Sequence, residues 1–151
     1  IKDGAWEIPA ENTKANRAHR VPLPALALRI LEELKPVTGK SAYVFETSSR
    51  RKKGPIRWVS HATARIREGC GFHFRAHDLR RTCGTGMARL GVDRLTIAKA
   101  LNHKSADASV TAIYDRYARE PEVRDAFERW SAHLEGVLAE DDESRIAGRI
   151  G

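Results

Sequence analysis

Apolar and polar positions alternate near the start of the chain. Trp6 and Ile8 flank polar Glu7, and Val21 and Leu23 repeat that spacing after a long polar stretch. A period of two predicts two short strands, joined by the long basic turn "AENTKANRAHR". From Pro24, which suits a first helical position, the period lengthens. Leu26, Ala27, Ile30, Leu31 and Leu34 share one helical face, and "KPVTGKS" ends that helix. "AYVFET" predicts a short strand from its aromatic and β-branched content, followed by the basic loop "SSRRKKGP". Ser60 is expected to cap a helix through about Glu68, closed by "GCG".

Between Asp78 and Leu90, the stripe Leu79, Cys83, Met87 and Leu90 predicts a core-facing side, and Gly91 ends the helix. Asp93 suits the cap of the next helix, whose apolar side is Leu95, Ala98 and Leu101. "NHKSADAS" is a polar connection and "VTAIYDRYA" a short helical or irregular piece. The last helix begins near Pro121 and carries Val123, Phe127, Trp130, Leu134 and Val137 on one side. The acidic residues that follow predict a loose end over 140–151. The expected fold class is α+β, mostly helical, with a small antiparallel sheet at the N-terminal side packed on a helical bundle. The chain opens almost inside its first strand, so the expectation is a fragment, with one domain over 1–139.

Composition narrows the partners. Twenty-seven Lys and Arg against twenty Asp and Glu give a formal charge of +7, which favours a polyanion. No apolar run approaches the roughly 20 residues needed to cross a bilayer, and no leader pattern is visible. The two cysteines, Cys70 and Cys83, are too few for a disulfide framework. They predict reduced thiols and a cytoplasmic protein.

Basic and nucleophilic residues recur where elements begin or end: Lys14, His77 with Arg80, His103, and Tyr114. Breaking a phosphodiester without metal calls for these types. Arginine matches phosphate oxygens with a planar fork and keeps its charge. Histidine moves a proton near neutral pH, and lysine donates one if nearby charge lowers its pKa. Tyrosine forms a covalent phosphoryl intermediate.

The stretch "HDLRRTCGTGMARLGVDRLTIAKALNHKSADASVTAIYDRY" resembles the catalytic half of tyrosine recombinases, the phage-type integrases. Their pattern is His-x-x-Arg opening a helix, Leu-Gly-His one helix later, and Tyr about ten residues beyond. "ENTKANRAHRVPLP" resembles the family's β-hairpin with its lysine, and the resemblance covers roughly residues 5 to 138. It implies a DNA integration and recombination enzyme that cleaves and rejoins double-stranded DNA through a 3′-phosphotyrosine, without metal, ATP or other cofactor. Tyr114 would be the nucleophile and Arg80 the phosphate clamp. His77 would assist proton transfer, His103 would bond a nonbridging oxygen, and Lys14 would protonate the leaving 5′ oxygen. The resemblance also implies a homo-oligomer, a tetramer on DNA, joined through the C-terminal segment. Arg17, Arg20, Arg50, Arg51, Lys52, Lys53 and Arg81 are candidate DNA contacts by charge and placement.

The chain departs from the family twice. An additional upstream arginine, in a Gly-x-Arg-x-x-Glu-like stretch, has no counterpart, so this piece alone is expected to be inactive. Asn102 stands where the family usually has glycine, and Asn also visits left-handed backbone. Three alternatives stay open: an accessory DNA-binding module without catalysis, a ribonuclease using His77 and His103, and zinc held by Cys70, His73 and His77. Tyr117, one helical turn from Tyr114, competes for the nucleophile's role.

Overall fold

The computed structural model describes all residues except 15, 48–53, 57, 58, 104–118 and 151, with side chains described as far as 141 in the last helix. The architecture is α+β and mostly helical, with a small antiparallel sheet at the N-terminal side, as expected. The chain divides into two compact units, one of residues 1–28 with 83–151 and one of residues 29–82.

In the first unit, strand β1 (Ala5–Ile8) pairs antiparallel with β2 (His19–Pro22), in the register Ala5↔Pro22, Trp6↔Val21, Glu7↔Arg20 and Ile8↔His19. The two strands form, but burial does not alternate along them. Ala5 and Pro22 are the buried positions, while Trp6 is 52% exposed. Strand β2 contacts the last helix. Ahead of β1, Lys2 and Ala5 exchange backbone hydrogen bonds of 2.9 Å around Asp3 and Gly4, both at positive φ. Asp-Gly favours this tight turn because glycine takes the left-handed backbone without a Cβ clash.

Helices supply the rest of the described part of this unit. Helix α1 (Ala25–Thr38) follows Pro24, and helix α2 (Ser60–Cys70) belongs to residues 29–82. Helix α3 spans Ala76–Arg89, α4 Arg94–Ala100 and α5 Glu120–Ile150. Met87 of α3, Ala100 at the end of α4 and Leu101 beyond it, and Val123 and Ala126 of α5 form the core with Ala5. Full burial of a side chain like Met87 contributes about 1.5–3 kcal/mol. Two glycines of α3 set the helix spacing. A Cβ at Gly84 would stand 3.0 Å from Leu101 Cδ1, and one at Gly86 would stand 2.7 Å from Trp130 Cε3 and Cη2. The Trp130 ring therefore lies directly on the α3 backbone.

Helix ends follow the local chemistry. Asp93 caps α4 as predicted: Oδ1 accepts from the amides of Leu95 (3.0 Å) and Thr96 (3.1 Å). Such a cap contributes about 1 kcal/mol. Gly91 ends α3 at φ 78°, with its amide donating to Ala88 O and the Val92 amide to Met87 O, both at 3.0 Å. This paired capping pattern satisfies carbonyls the helix leaves orphaned.

Several expectations need correction. Leu79 is 58% exposed, so only the Cys83–Leu90 part of its stripe turns inward. On α4 the fully buried positions are Thr96 and Ala100 rather than Leu95 and Ala98. Ser60 is the first residue of α2 instead of its cap; Val59 precedes it and makes no side-chain cap. "AYVFET" forms one isolated bridge, Glu46↔Pro55, with two flanking hydrogen bonds, rather than a strand. β propensity alone does not supply a neighbour to pair with. The stripe of α5 is core at Val123 and half-buried at Trp130, whereas Val137 and Leu138 are 48% and 58% exposed. Helix α5 itself runs through 140–150. Within residues 29–82, no described side chain is fully buried.

Candidate functional site

Lys14 lies in the connection between β1 and β2, exposed, just after a 3-10 turn at Ala10–Asn12. Thr13 organises that connection. Its hydroxyl lies 2.8 Å from Arg17 O and 3.0 Å from Ala10 O, and it accepts from the Arg17 amide at 3.0 Å. Asn16 supplies a left-handed residue at φ 49°. A hydroxyl that gathers three backbone groups fixes the loop's path, which the sequence reading missed. The available signal was threonine inside a polar turn.

His103 follows α4. The Asn102 amide donates to Lys99 O (3.0 Å) and the His103 amide to Ala98 O (2.9 Å), with Asn102 at φ 50°. Asn102 therefore occupies the left-handed position that glycine commonly fills, and the same paired cap as at Gly91 pins the His103 backbone. The His103 side chain is exposed.

His77 and Arg80 sit on the first turns of α3, three residues apart and both exposed. That spacing makes them neighbours on one helix face. Asp78 Oδ2 accepts from the Arg75 amide at 2.9 Å, which caps the start of the helix. Arg81 stands 3.7 Å from Asp78 Oδ1. Upstream, Arg67 Nη1 reaches Phe74 O (3.3 Å) and His73 Nε2 (3.4 Å), tying the loop before α3 to α2. Phe72 and Phe74 pack at 5.8 Å between centroids. Among the described residues, no hydrogen bond or ion pair is made by the side chains of Lys14, His77, Arg80 or His103.

Lys14 and His103 belong to the first unit; His77, Arg80 and Arg81 belong to the second. Tyr114, Tyr117, Arg50, Arg51, Lys52 and Lys53 lie outside the described residues. Arg17 is exposed in the hairpin turn. Arg20 is already engaged: its guanidinium pairs with Glu120 and lies 3.9 Å from Glu7 across the sheet. Among the described residues, Cys70 and Cys83 form no disulfide, and no group of three metal-ligating side chains is assembled. No described helix is long and apolar enough to cross a membrane.

One carboxylate is perturbed. Asp93 is held below the usual carboxylate range, first by the Thr96 hydroxyl, which donates to Oδ2 at 2.5 Å, and further by the two backbone amides and by Arg119 at 3.6 Å; partial burial opposes them. An open cleft of about 490 Å³ beside it, lined by Gly91, Thr96, Pro121 and Arg129 among others, contains none of the sequence-predicted site residues.

The hairpin connection thus carries Lys14, the start of α3 carries His77 and Arg80, and the capped turn after α4 carries His103. The model of the phage integrase family matches residues 1–120, and the chain belongs to that family. The chain is also 33% identical over 141 residues to "Prophage integrase IntA" of Escherichia coli (strain K12), a match covering 93% of this chain and 33% of that protein. It thus spans about a third of this relative's length. No solved structure gives a significant match.

Proposed function

We propose that this chain is the catalytic part, over 1–139, of a site-specific DNA recombinase that cleaves and rejoins strands through Tyr114. The observation that carries the reading is membership of the phage integrase family over residues 1–120, a span containing Lys14, His77, Arg80, His103 and Tyr114 in the family's order.

The Tyr114 oxygen attacks phosphorus in line and expels the 5′ oxygen, leaving a 3′-phosphotyrosine. A 5′ hydroxyl of another strand reverses the step. One phosphodiester-like bond replaces another, so no ATP is consumed. Arg80 grips two nonbridging oxygens as charge builds. His103 donates to a nonbridging oxygen, His77 assists removal of the tyrosine proton, and Lys14 delivers a proton to the departing 5′ oxygen. Support comes from exposure: these four side chains point to solvent and are not engaged with other described groups.

Double-stranded DNA is the proposed partner, with phosphate contacts from Arg17, Arg81 and the 50–53 basic cluster. Arg20 is the weakest of the candidate contacts, because Glu7 and Glu120 already face it. Strand exchange would proceed in a tetramer, joined through the C-terminal segment whose Val137 and Leu138 are exposed. Residues 1–151 by themselves are expected not to cleave, since the family's additional arginine has no counterpart among them.

The test is covalent trapping on a nicked suicide duplex by the complete polypeptide that carries this chain. Trapping is expected, and Tyr114→Phe should abolish it. Trapping that survives Tyr114→Phe, or cleavage that instead depends on a 2′ hydroxyl, would overturn the reading.

A further inference from the structure

We propose that the Arg119–Glu120 junction, held by Asp93 on one side and Arg20 on the other, is the positioning anchor for the Tyr114 nucleophile. The inference rests on the function proposed above.

The junction is held from two directions. Arg119 Nη1 stands 3.6 Å from Asp93 Oδ1, and Glu120 pairs with Arg20. Asp93 is itself fixed: it caps α4 through the Leu95 and Thr96 amides and accepts from the Thr96 hydroxyl, and Thr96 is 1% exposed. Helix α4 ends in the cap that pins His103. Arg20 is fixed by β2, in register with Glu7, on the hairpin that carries Lys14. One junction therefore connects the supports of two proposed site residues, all within one compact unit.

The junction's own conformation is costly and needs a reason. Arg119 adopts φ 50°, which a non-glycine residue rarely takes. It also places a cation at the N-terminus of α5, where the helix dipole opposes positive charge. The Val123 amide donates to Arg119 O at 2.9 Å, so Arg119 is the residue from which α5 starts. Such an outlier persists only where surrounding groups fix it, and the Asp93 carboxylate faces the Arg119 guanidinium at 3.6 Å. Tyr114 lies five residues earlier in the chain. Five residues reach at most about 18 Å, so where Arg119 is fixed bounds where the tyrosine can go.

Arg20 and Arg119 act here as positioning residues, and so do their carboxylate partners. The acidic members give the cleanest test. Asp93→Asn keeps an oxygen to cap α4 and removes the charge facing Arg119. Glu120→Gln removes the charge facing Arg20. Neither deletes a basic group, so neither weakens attraction to DNA. In the complete polypeptide, each should slow formation of the covalent complex on a nicked suicide duplex by about tenfold or more, the scale expected when a reacting group is misplaced. DNA affinity and the folded fraction should stay within about twofold, and Arg119→Lys should keep most of the rate. Unchanged cleavage in both acidic variants overturns the anchor, as does a loss of rate matched by an equal loss of binding or of folded protein. Tyr114→Phe, run alongside, separates the failures. If it still forms the covalent complex, the nucleophile assignment is wrong; if it is inert while the acidic variants cleave normally, only the anchor is wrong.

Discussion

Gly86→Ala adds one methyl group where the Trp130 ring meets the backbone of α3. The new Cβ would stand 2.7 Å from two ring carbons and closer still to Cζ3, inside any real carbon–carbon contact. Either the indole or the helix must shift, and overpacking of this kind costs about 1–3 kcal/mol. Alanine returns about 1 kcal/mol of helix propensity over glycine. The net expectation is a loss near 1 kcal/mol, read as a lower midpoint in urea with an unchanged slope. At this chain length, 1 kcal/mol corresponds to roughly 2–4 °C in melting temperature. Gly136→Ala is the matched control, because a Cβ there meets nothing within 4 Å. That variant should gain about 0.5–1 kcal/mol. In a Trp130→Leu background the penalty at Gly86 should vanish, giving a coupling of about 1 kcal/mol or more. If Gly86→Ala stabilises the chain as Gly136→Ala does, the close approach of α3 and α5 is refuted.

Asn102→Ala should cost about 1 kcal/mol, since alanine lacks the polar side chain that eases the left-handed backbone, whereas Asn102→Gly should be neutral or stabilising; urea midpoints decide. The depressed Asp93 pKa means that its contribution to stability is complete above the ordinary carboxylate value near 3.8 and fades as pH falls through the lower folded value. Wild type and Asp93→Ala should therefore differ in melting temperature at neutral pH and converge in strong acid; a gap that persists there would contradict the sign. Lys14→Ala should slow cleavage of an ordinary strand and recover when the leaving 5′ oxygen is replaced by sulfur, which departs without a proton; equal impairment on both substrates would remove the lysine from that role.

Local chemistry was the legible part of the fold. Asp93 as a cap, Gly91 and Gly71 as helix ends, and Asn102 as a left-handed residue each depend on a few neighbouring backbone groups. Contacts between distant segments were not legible. The phase of β1 is set by what packs on the sheet, so Ala5 is buried and the larger Trp6 is not. Trp130 is half-buried because Gly86 leaves room for it some forty positions upstream. The Arg20–Glu120 pair joins positions a hundred residues apart, which charge and loop placement do not reveal. The Asp-Gly turn at residues 3 and 4 was written plainly in the sequence and went unused. For the site, order and interval along the chain were readable, and so was the residue chemistry. Thr13 holds the Lys14 turn through hydrogen bonds to groups three and four residues away, a local signal that went unused, whereas the Asp93–Arg119 pairing joins segments far apart in the sequence.

The central chemical assignment is the bond between Tyr114 and DNA. Trapping the complete polypeptide on a nicked duplex, digesting it, and sequencing the peptide that carries the nucleotide by mass spectrometry reads that bond directly. The expected adduct is a 3′ phosphate ester on Tyr114, with a free 5′ hydroxyl on the released strand. An adduct on Tyr117, a linkage to a 5′ phosphate, or cleaved DNA with no peptide attached would contradict it.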